Sequence, residues 1–253
     1  KMAGQLEEKI LQLGAENVAA FVGEPIQGAG GVIIPPDTYW PEIERICKHY
    51  GVLLVNDEVI CGFGRLGEWF GSDHFQIKPD LITFAKGVTS GYLPLGGVMV
   101  GDRVADTLIE KGGEFNHGFT YSGHPASCAV AIKNIQILKD ENLIERVKNE
   151  IGPYMQEKWH SLAEHPIVGE TRMVGLMGAM ELVANKSSAE RYDNKSTAGT
   201  VYRDFAVNNG LVMRAVGDTI VTSPPLIISN TEVDELIDKA WKCLDHTYKT
   251  MTN

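Results

Sequence analysis

Short apolar runs bounded by turn formers constrain the first half of this chain more than any other feature. They are NVAAFV (17–22), LLVND (53–57), DLITFAK (80–86) and GVMV (97–100). Such runs alternating with helical patterns are the signature of βαβ units around a mostly parallel sheet. Their continuous apolar character predicts strands buried on both faces. Asp37 stands where it can cap a helix from about Thr38 to His49, with Ile43, Ile46 and Cys47 on one face and Gly51 as the stop.

From about Pro125 the pattern changes. Residues 126–150 read as one long helix and 151–165 continue helical; GLMGAMEL is strand-like, 196–209 helical, GLVMRA strand-like, and 221–228 carries the Pro224–Pro225 pair. Thr231 with Asp234 three residues on reads as a capping box opening a final helix to about Tyr248. The expected architecture is α/β, with residues 1–132 in a larger domain built on the mostly parallel sheet and 133–253 in a smaller C-terminal α+β domain. KMAGQLEEKILQLG reads as the middle of an amphipathic helix, so the chain is expected to be the later part of a longer one.

A net charge of -10 over 253 residues argues against nucleic acid or an anionic membrane surface as a partner. No apolar run approaches the length of a transmembrane helix. Cys47, Cys61, Cys128 and Cys243 lie far apart without metal or redox spacing, which fits free thiols in a reducing cytoplasm. His117 and His124 have no third ligand nearby in sequence, so no metal site is expected.

GVLLVNDEVICGFGRLG matches the dinucleotide fingerprint at Gly62, Gly64 and Gly67, and Asp80 lies at about the distance of a ribose-binding acid. In that motif the glycines open a helix whose N terminus holds the pyrophosphate. The following residues, Glu68-Trp69-Phe70-Gly71-Ser72-Asp73, do not read as a helix opening, and Asp57 and Glu58 would oppose a pyrophosphate. Those acids suggest other chemistry. In an open α/β sheet, ligands bind outside the carboxyl ends of the strands. Asp57 ends one run there and Lys86 the next, where desolvation makes an amine nucleophilic. A lysine to form a Schiff base and a carboxylate to keep a pyridine nitrogen protonated are what pyridoxal phosphate requires. From spacing alone, the plainer reading of a solvated lysine and a turn-forming aspartate still stands ahead.

Five stretches in order, GEPIQGAGG (23–31), NDEVICGFGRLGEWFG (56–71), PDLITFAKGVTSGYLPLGG (79–97), FNHGFTYSGHP (115–125) and VMRAVGDTIVTSPPL (212–226), together resemble the class III, ω-type aminotransferases, most of all their amine:pyruvate and putrescine:pyruvate members. The resemblance runs from about residue 15 to the C terminus. It implies the fold of type I pyridoxal-phosphate transferases and a homodimer whose subunits share each active site. Lys86 matches the Schiff-base lysine and proton shuttle. Asp57 matches the partner of the pyridine nitrogen, and Val59 the aliphatic side chain against the ring. Gln27 lies where the family often has a side chain near the phenolic oxygen. Thr120 matches the threonine that reaches the cofactor phosphate of the neighbouring subunit. Gly62 and Gly64 then serve a sharp turn after the cofactor strand.

The resemblance also bears on substrate. Relatives that use 2-oxoglutarate carry an arginine shortly before the Pro-Pro pair, facing a glutamate at the position of Glu24; here Val221-Thr222-Ser223 stands instead. Arg214 matches the mobile arginine of the amine:pyruvate branch, which grips a carboxylate and swings away for an amine. Arg172 is followed by Met173 where the family usually has glycine, and carries no catalytic expectation. Nothing in the chain corresponds to the family's N-terminal phosphate loop or its ring-stacking aromatic residue. The function expected is transfer of an amino group from a primary amine, a diamine such as putrescine or an ω-amino acid, to pyruvate by a ping-pong mechanism. Two alternatives are another enzyme on the same fold, such as a racemase or aminomutase, and a catalytically silent fragment serving dimer assembly.

Overall fold

In the computed structural model, which describes residues 2–193 and 197–252, two compact units are present. The first contains the N-terminal stretch to Ile26 with Ile34–Gly64 and Glu68–Asn142; the second contains Gln27–Ile33, Arg65–Gly67 and the chain from Leu143 onward.

The first unit is a sheet with helices. Its elements are α1 (Met2–Leu13), β1 (Ala20–Gly23), α2 (Tyr39–Tyr50), β2 (Leu53–Asp57), α3 (Gly71–His74), β3 (Leu81–Phe84), β4 (Gly97–Val100), α4 (Asp102–Lys111) and α5 (Pro125–Asp140). Strand order is β1-β2-β3-β4, with β1, β2 and β3 parallel and β4 antiparallel to β3. Each apolar run thus supplies a strand, although β1 starts only at Ala20, three residues into its run. Burial on both faces holds only for part of the sheet, because β4 is largely exposed and β1 alternates between exposed and half-buried. Helix α2 stops at Gly51, whose φ of 72° is the left-handed conformation a C-terminal glycine supplies. Its cap differs from expectation: Thr38, not Asp37, is the N-cap, and no side chain caps it. One core joins α1, α2 and β2 through Ile10, Trp40, Ile43, Ile46 and Leu54. The Trp40 indole donates to the Pro25 carbonyl at 2.9 Å, so its burial leaves no orphaned donor.

The second unit starts with α6 (Leu143–Arg146), passes through a wide turn at Val147–Ile151 and enters α7 (Gly152–Ser161). The long helix expected over 126–150 is therefore broken after Asp140, where Asn142 adopts φ 50°. The wide turn closes with the Gly152 N–H on the Val147 carbonyl, just before Pro153, which has no N–H to continue the regular ladder. Then come β5 (Val168–Val174), β6 (Met177–Leu182), α8 (Thr197–Asn208), β7 (Arg214–Val216), β8 (Thr219–Thr222) and α9 (Asn230–Thr252). Residue 196, where the expected helix over 196–209 opens, lies outside the described residues. The sheet is antiparallel in the order β5-β6-β8-β7, and packs with the helices around Met155, Trp159, Leu176, Tyr202 and Leu244. Helix α9 opens two residues before the predicted box. Ser229 and Glu232 form the reciprocal cap, with the Glu232 carboxylate accepting the Ser229 N–H at 2.8 Å and the Ser229 hydroxyl accepting the Glu232 N–H at 3.3 Å.

All four cysteines are free. Burial pushes the thiols of Cys47 and Cys243 up to about 11 and that of Cys61 up to about 12, whereas Cys128 is half-buried. Among the described residues, no helix is long and apolar enough to cross a membrane.

Two stability predictions follow from buried polar groups. Asn56 is fully buried on the Leu54 face of β2, and neither atom of its amide has a partner among the described residues. Relieving that desolvation with the near-isosteric Asn56→Leu is expected to raise stability by about 1 kcal/mol, read as a higher urea midpoint. His165, 2% exposed, accepts the Ile167 N–H on Nδ1 at 3.4 Å, and its Nε2 lies 3.4 Å from Asp245. Burial lowers its pKa below the ordinary value and outweighs the opposing pull of Asp245. The fold thus prefers the neutral ring, and the stability it contributes is full above about pH 6.5 and lost as pH falls below it. His165→Phe should therefore unfold with a weaker pH dependence than wild type between pH 7.5 and 5.5; equal dependence would refute the assignment.

Candidate active site

Parallel pairing brings the carboxyl ends of β1, β2 and β3 to one edge of the first sheet. The register sets Asp57 opposite Thr83, and Lys86 follows three residues later, so the aspartate and the lysine leave the sheet from neighbouring strands. Asp57 is half-buried and its Oδ1 accepts the Val59 N–H at 3.1 Å. No other partner of this carboxylate is present among the described residues, and Val59 is half-buried beside it. Glu24 follows directly on β1 and is half-buried; the charges of Glu58, Glu24 and Asp57 add to the burial that raises the Cys61 thiol.

Lys86 begins a tight helical turn over Lys86–Thr89 and adopts φ 43°. Its side chain is exposed, contrary to the desolvation expected from the apolar run, and its ammonium has no hydrogen-bond or ion-pair partner among the described residues. Ser90 (φ 49°) closes the same turn, and Phe63 (φ 59°) packs against it, since a Cβ on Gly87 would lie 3.1 Å from the Phe63 Cβ. Left-handed conformations cost a non-glycine residue free energy, and they cluster where function requires a fixed geometry.

The glycine loop has a different use from a phosphate turn. It runs through turns to the one-turn helix α3, a helix opening that the sequence reading did not anticipate. The N–H groups of Gly71 and Ser72, the donors that would face a pyrophosphate, are both taken at 2.7 Å by the fully buried Glu58 carboxylate. Burial raises the Glu58 pKa while these two bonds oppose the rise. Gly62 is required by close approach, because a Cβ there would come within 2.9 Å of the Glu58 carbonyl oxygen, and Gly64 by its φ of 93°.

Thr120 lies exposed in the irregular stretch before α5, beside the turn in which the Ser122 N–H bonds the Phe119 carbonyl at 2.9 Å. In the second unit, Arg214 opens β7 opposite Val221, exposed and with no partner for its guanidinium among the described residues. Gln27, also exposed, pairs through its backbone with Ile33 to close a small loop. Arg172 holds that loop: it donates to the Val32 carbonyl at 2.7 Å, to the Gly31 carbonyl at 2.5 Å and to Glu181 at 2.6 Å. Glu181 is fixed in turn by the Thr219 hydroxyl at 2.8 Å, and the clamp holds the buried, β-branched Val32 at φ 54°. The sequence carries no sign of this structural role, because no apolar run marks the strand that holds Arg172.

The profile of the family described as "Aminotransferase class-III" matches residues 2–244. The chain belongs to the class-III aminotransferases. This family uses pyridoxal phosphate, and the class-III fold here is the α/β fold of type I pyridoxal-phosphate transferases. The chain is 58% identical over 245 residues to a putrescine–pyruvate aminotransferase of Pseudomonas aeruginosa, covering 97% of this chain and 53% of the relative. A mitochondrial gamma aminobutyrate transaminase 1 of Solanum lycopersicum is 46% identical, with 98% of this chain and 49% of the relative covered. A thermostable (S)-enantioselective omega-transaminase from Thermomicrobium roseum, of known structure, superposes with a TM-score of 0.92 at 46% identity, over 97% of this chain and 55% of that one. The chain spans about half the length of the curated relatives it matches. The donor set fits the family's cofactor at two points: an unpaired amine for its aldehyde and a carboxylate with a spare oxygen for its ring nitrogen.

Cutting the clamp should loosen one loop. Arg172→Met is expected to speed hydrogen exchange at the Ile33 amide and to cost on the order of 2 kcal/mol, reduced from the value for a fully buried pair because the site is partly exposed. Unchanged Ile33 exchange would show that the loop is held by other contacts.

Proposed function

We propose that the protein containing this chain is a transaminase that moves an amino group from a primary amine, a diamine such as putrescine or an ω-amino acid, to pyruvate in two half-reactions. The observation that carries this reading is the unpaired Lys86 in its left-handed turn at the carboxyl end of β3, next to the strand that ends in Asp57. Bound pyridoxal phosphate supplies an aldehyde that accepts the amino group and a ring that stores the electron pair left when the carbon beside nitrogen loses its proton.

The chain's own residues do the rest. Lys86 Nζ would hold the cofactor through its aldehyde group and, as a free amine, would serve as the general base that takes the substrate proton and the general acid that returns it. Asp57 keeps a proton on the ring nitrogen by the attraction of its carboxylate. Val59 packs on the ring, Gln27 bonds its phenolic oxygen, and Thr120 serves the phosphate of the partner subunit in a homodimer. Glu24 lines the substrate side. Exposure of Phe115, Phe119 and Tyr121 around Thr120, at 67%, 80% and 81%, supports a surface that a second subunit covers. Arg214 binds the keto acid through its planar fork and withdraws when the substrate lacks a carboxylate. Pyruvate as acceptor is supported by the Pseudomonas relative's name and by Val221-Thr222-Ser223, rather than an arginine, directly before Pro224. The larger and smaller domains divided near residue 132, and the cytoplasmic location suggested by unpaired thiols, belong to the same proposal.

Arg214→Ala in the full-length protein is expected to slow the keto-acid half-reaction at least tenfold more than the amine half-reaction, measured by single-turnover absorbance. Equal losses would remove the carboxylate role. Lys86→Ala should abolish both.

A further inference from the structure

The turn that carries Lys86 has few interactions of its own. Ala85 is extended, Lys86 is left-handed, and the turn closes with the Ser90 N–H on the Gly87 carbonyl at 3.2 Å and the Gly91 N–H on the Lys86 carbonyl at 3.3 Å. A one-turn helix with a left-handed first residue does not persist on such bonds alone. Further support comes from α5, more than forty residues later. Asn134 Nδ2 donates to the Gly87 carbonyl at 2.9 Å and to the Val88 carbonyl at 3.1 Å, while its Oδ1 accepts the Ser90 hydroxyl at 2.7 Å. Both amide hydrogens and the amide oxygen are thus used on three positions of the turn, Gly87, Val88 and Ser90, while the Thr89 hydroxyl bonds the Leu93 carbonyl at 2.6 Å. The Gly87 and Val88 carbonyls, which can only accept, decide which way the Asn134 amide faces.

We propose that Asn134 is a positioning residue that fixes the backbone of the Lys86 turn and thereby aims the Lys86 amine. The inference rests on the reading of Lys86 as the residue that holds the cofactor. Asn134 touches no reacting atom; it acts through the Gly87 and Val88 carbonyls and so ties the lysine's orientation to α5. Its side chain is half-buried and interrupts the apolar stripe of Val130, Ile135 and Leu138.

The test uses the full-length protein stripped of cofactor, with pyridoxal phosphate as the probe. Nζ condenses with the aldehyde with loss of water, borohydride hydride reduces the resulting carbon–nitrogen double bond, and the labelled peptide is quantified by mass spectrometry against the exposed Lys78. Asn134→Leu, which keeps shape but not donors, and Asn134→Asp, which turns an oxygen toward two carbonyls, are expected to slow labelling at Lys86 about tenfold, with Lys78 unaffected. Exchange at the Ser90 and Gly91 amides should rise in both. Should either variant fail to fold, Ser90→Ala, a change at an exposed hydroxyl, is expected to give a smaller slowing in the same direction. Wild-type labelling rates in the folded variants would overturn the proposal while leaving the role of Lys86 intact. If wild type itself takes no label on Lys86, the transaminase reading fails, and the clamp is then judged by exchange alone: unchanged Ser90 and Gly91 amides overturn it, faster ones sustain it.

Discussion

Parallel pairing of β1, β2 and β3 forces three successive strands to end at the same sheet edge, and three candidate residues of the first unit depend on that direction. Glu24 follows β1, Asp57 closes β2 and Lys86 lies just beyond β3. An antiparallel arrangement of the same strands would send one of them to the opposite edge. The chain must leave that edge through loops, and the loops are where the backbone departs from ordinary conformations: Phe63, Lys86 and Ser90 are all left-handed without being glycine. Such conformations persist only when their surroundings over-determine them. Here the surroundings are the packing of Phe63 on Gly87 and the amide of Asn134.

The same edge shows how a sequence motif and its geometry part company. G-x-G-x-x-G after a strand has the right letters for a nucleotide turn, yet the donors that a phosphate would need are occupied by the protein's own Glu58. A buried carboxylate held by two backbone N–H groups fixes the loop after β2 instead of binding a ligand. The acid that speaks against the nucleotide reading in the sequence is thus the group that physically excludes it in the fold.

Legibility in the sequence followed the strength of the local signal. The run LLVND maps onto β2 residue for residue, its apolar residues giving way to Asn56 and Asp57 at the end of the strand. Strand β5 exposes Glu170 and half-exposes Thr171 and Arg172, so it has no apolar run to announce it. The break after Asp140 was hidden because apolar spacing continues through it. Family motifs pointed to Lys86, Asp57 and Arg214, whose types advertise chemistry. Arg172 and Asn134 were illegible for the opposite reason: they act by capturing carbonyls far away in sequence, and only the folded chain shows which carbonyls those are.

The distribution of thiols gives this fold a built-in clock. Three of the four cysteines are buried with thiols held near 11 or 12, where almost no thiolate exists at neutral pH, and an unfolded cysteine ionises at about 8.5. A thiol-reactive dye therefore meets Cys128 first. Cys47 and Cys61 report only when the first unit opens and Cys243 only when α9 leaves its core, so the order of the later three reactions times the unfolding of each unit separately, without any engineered label.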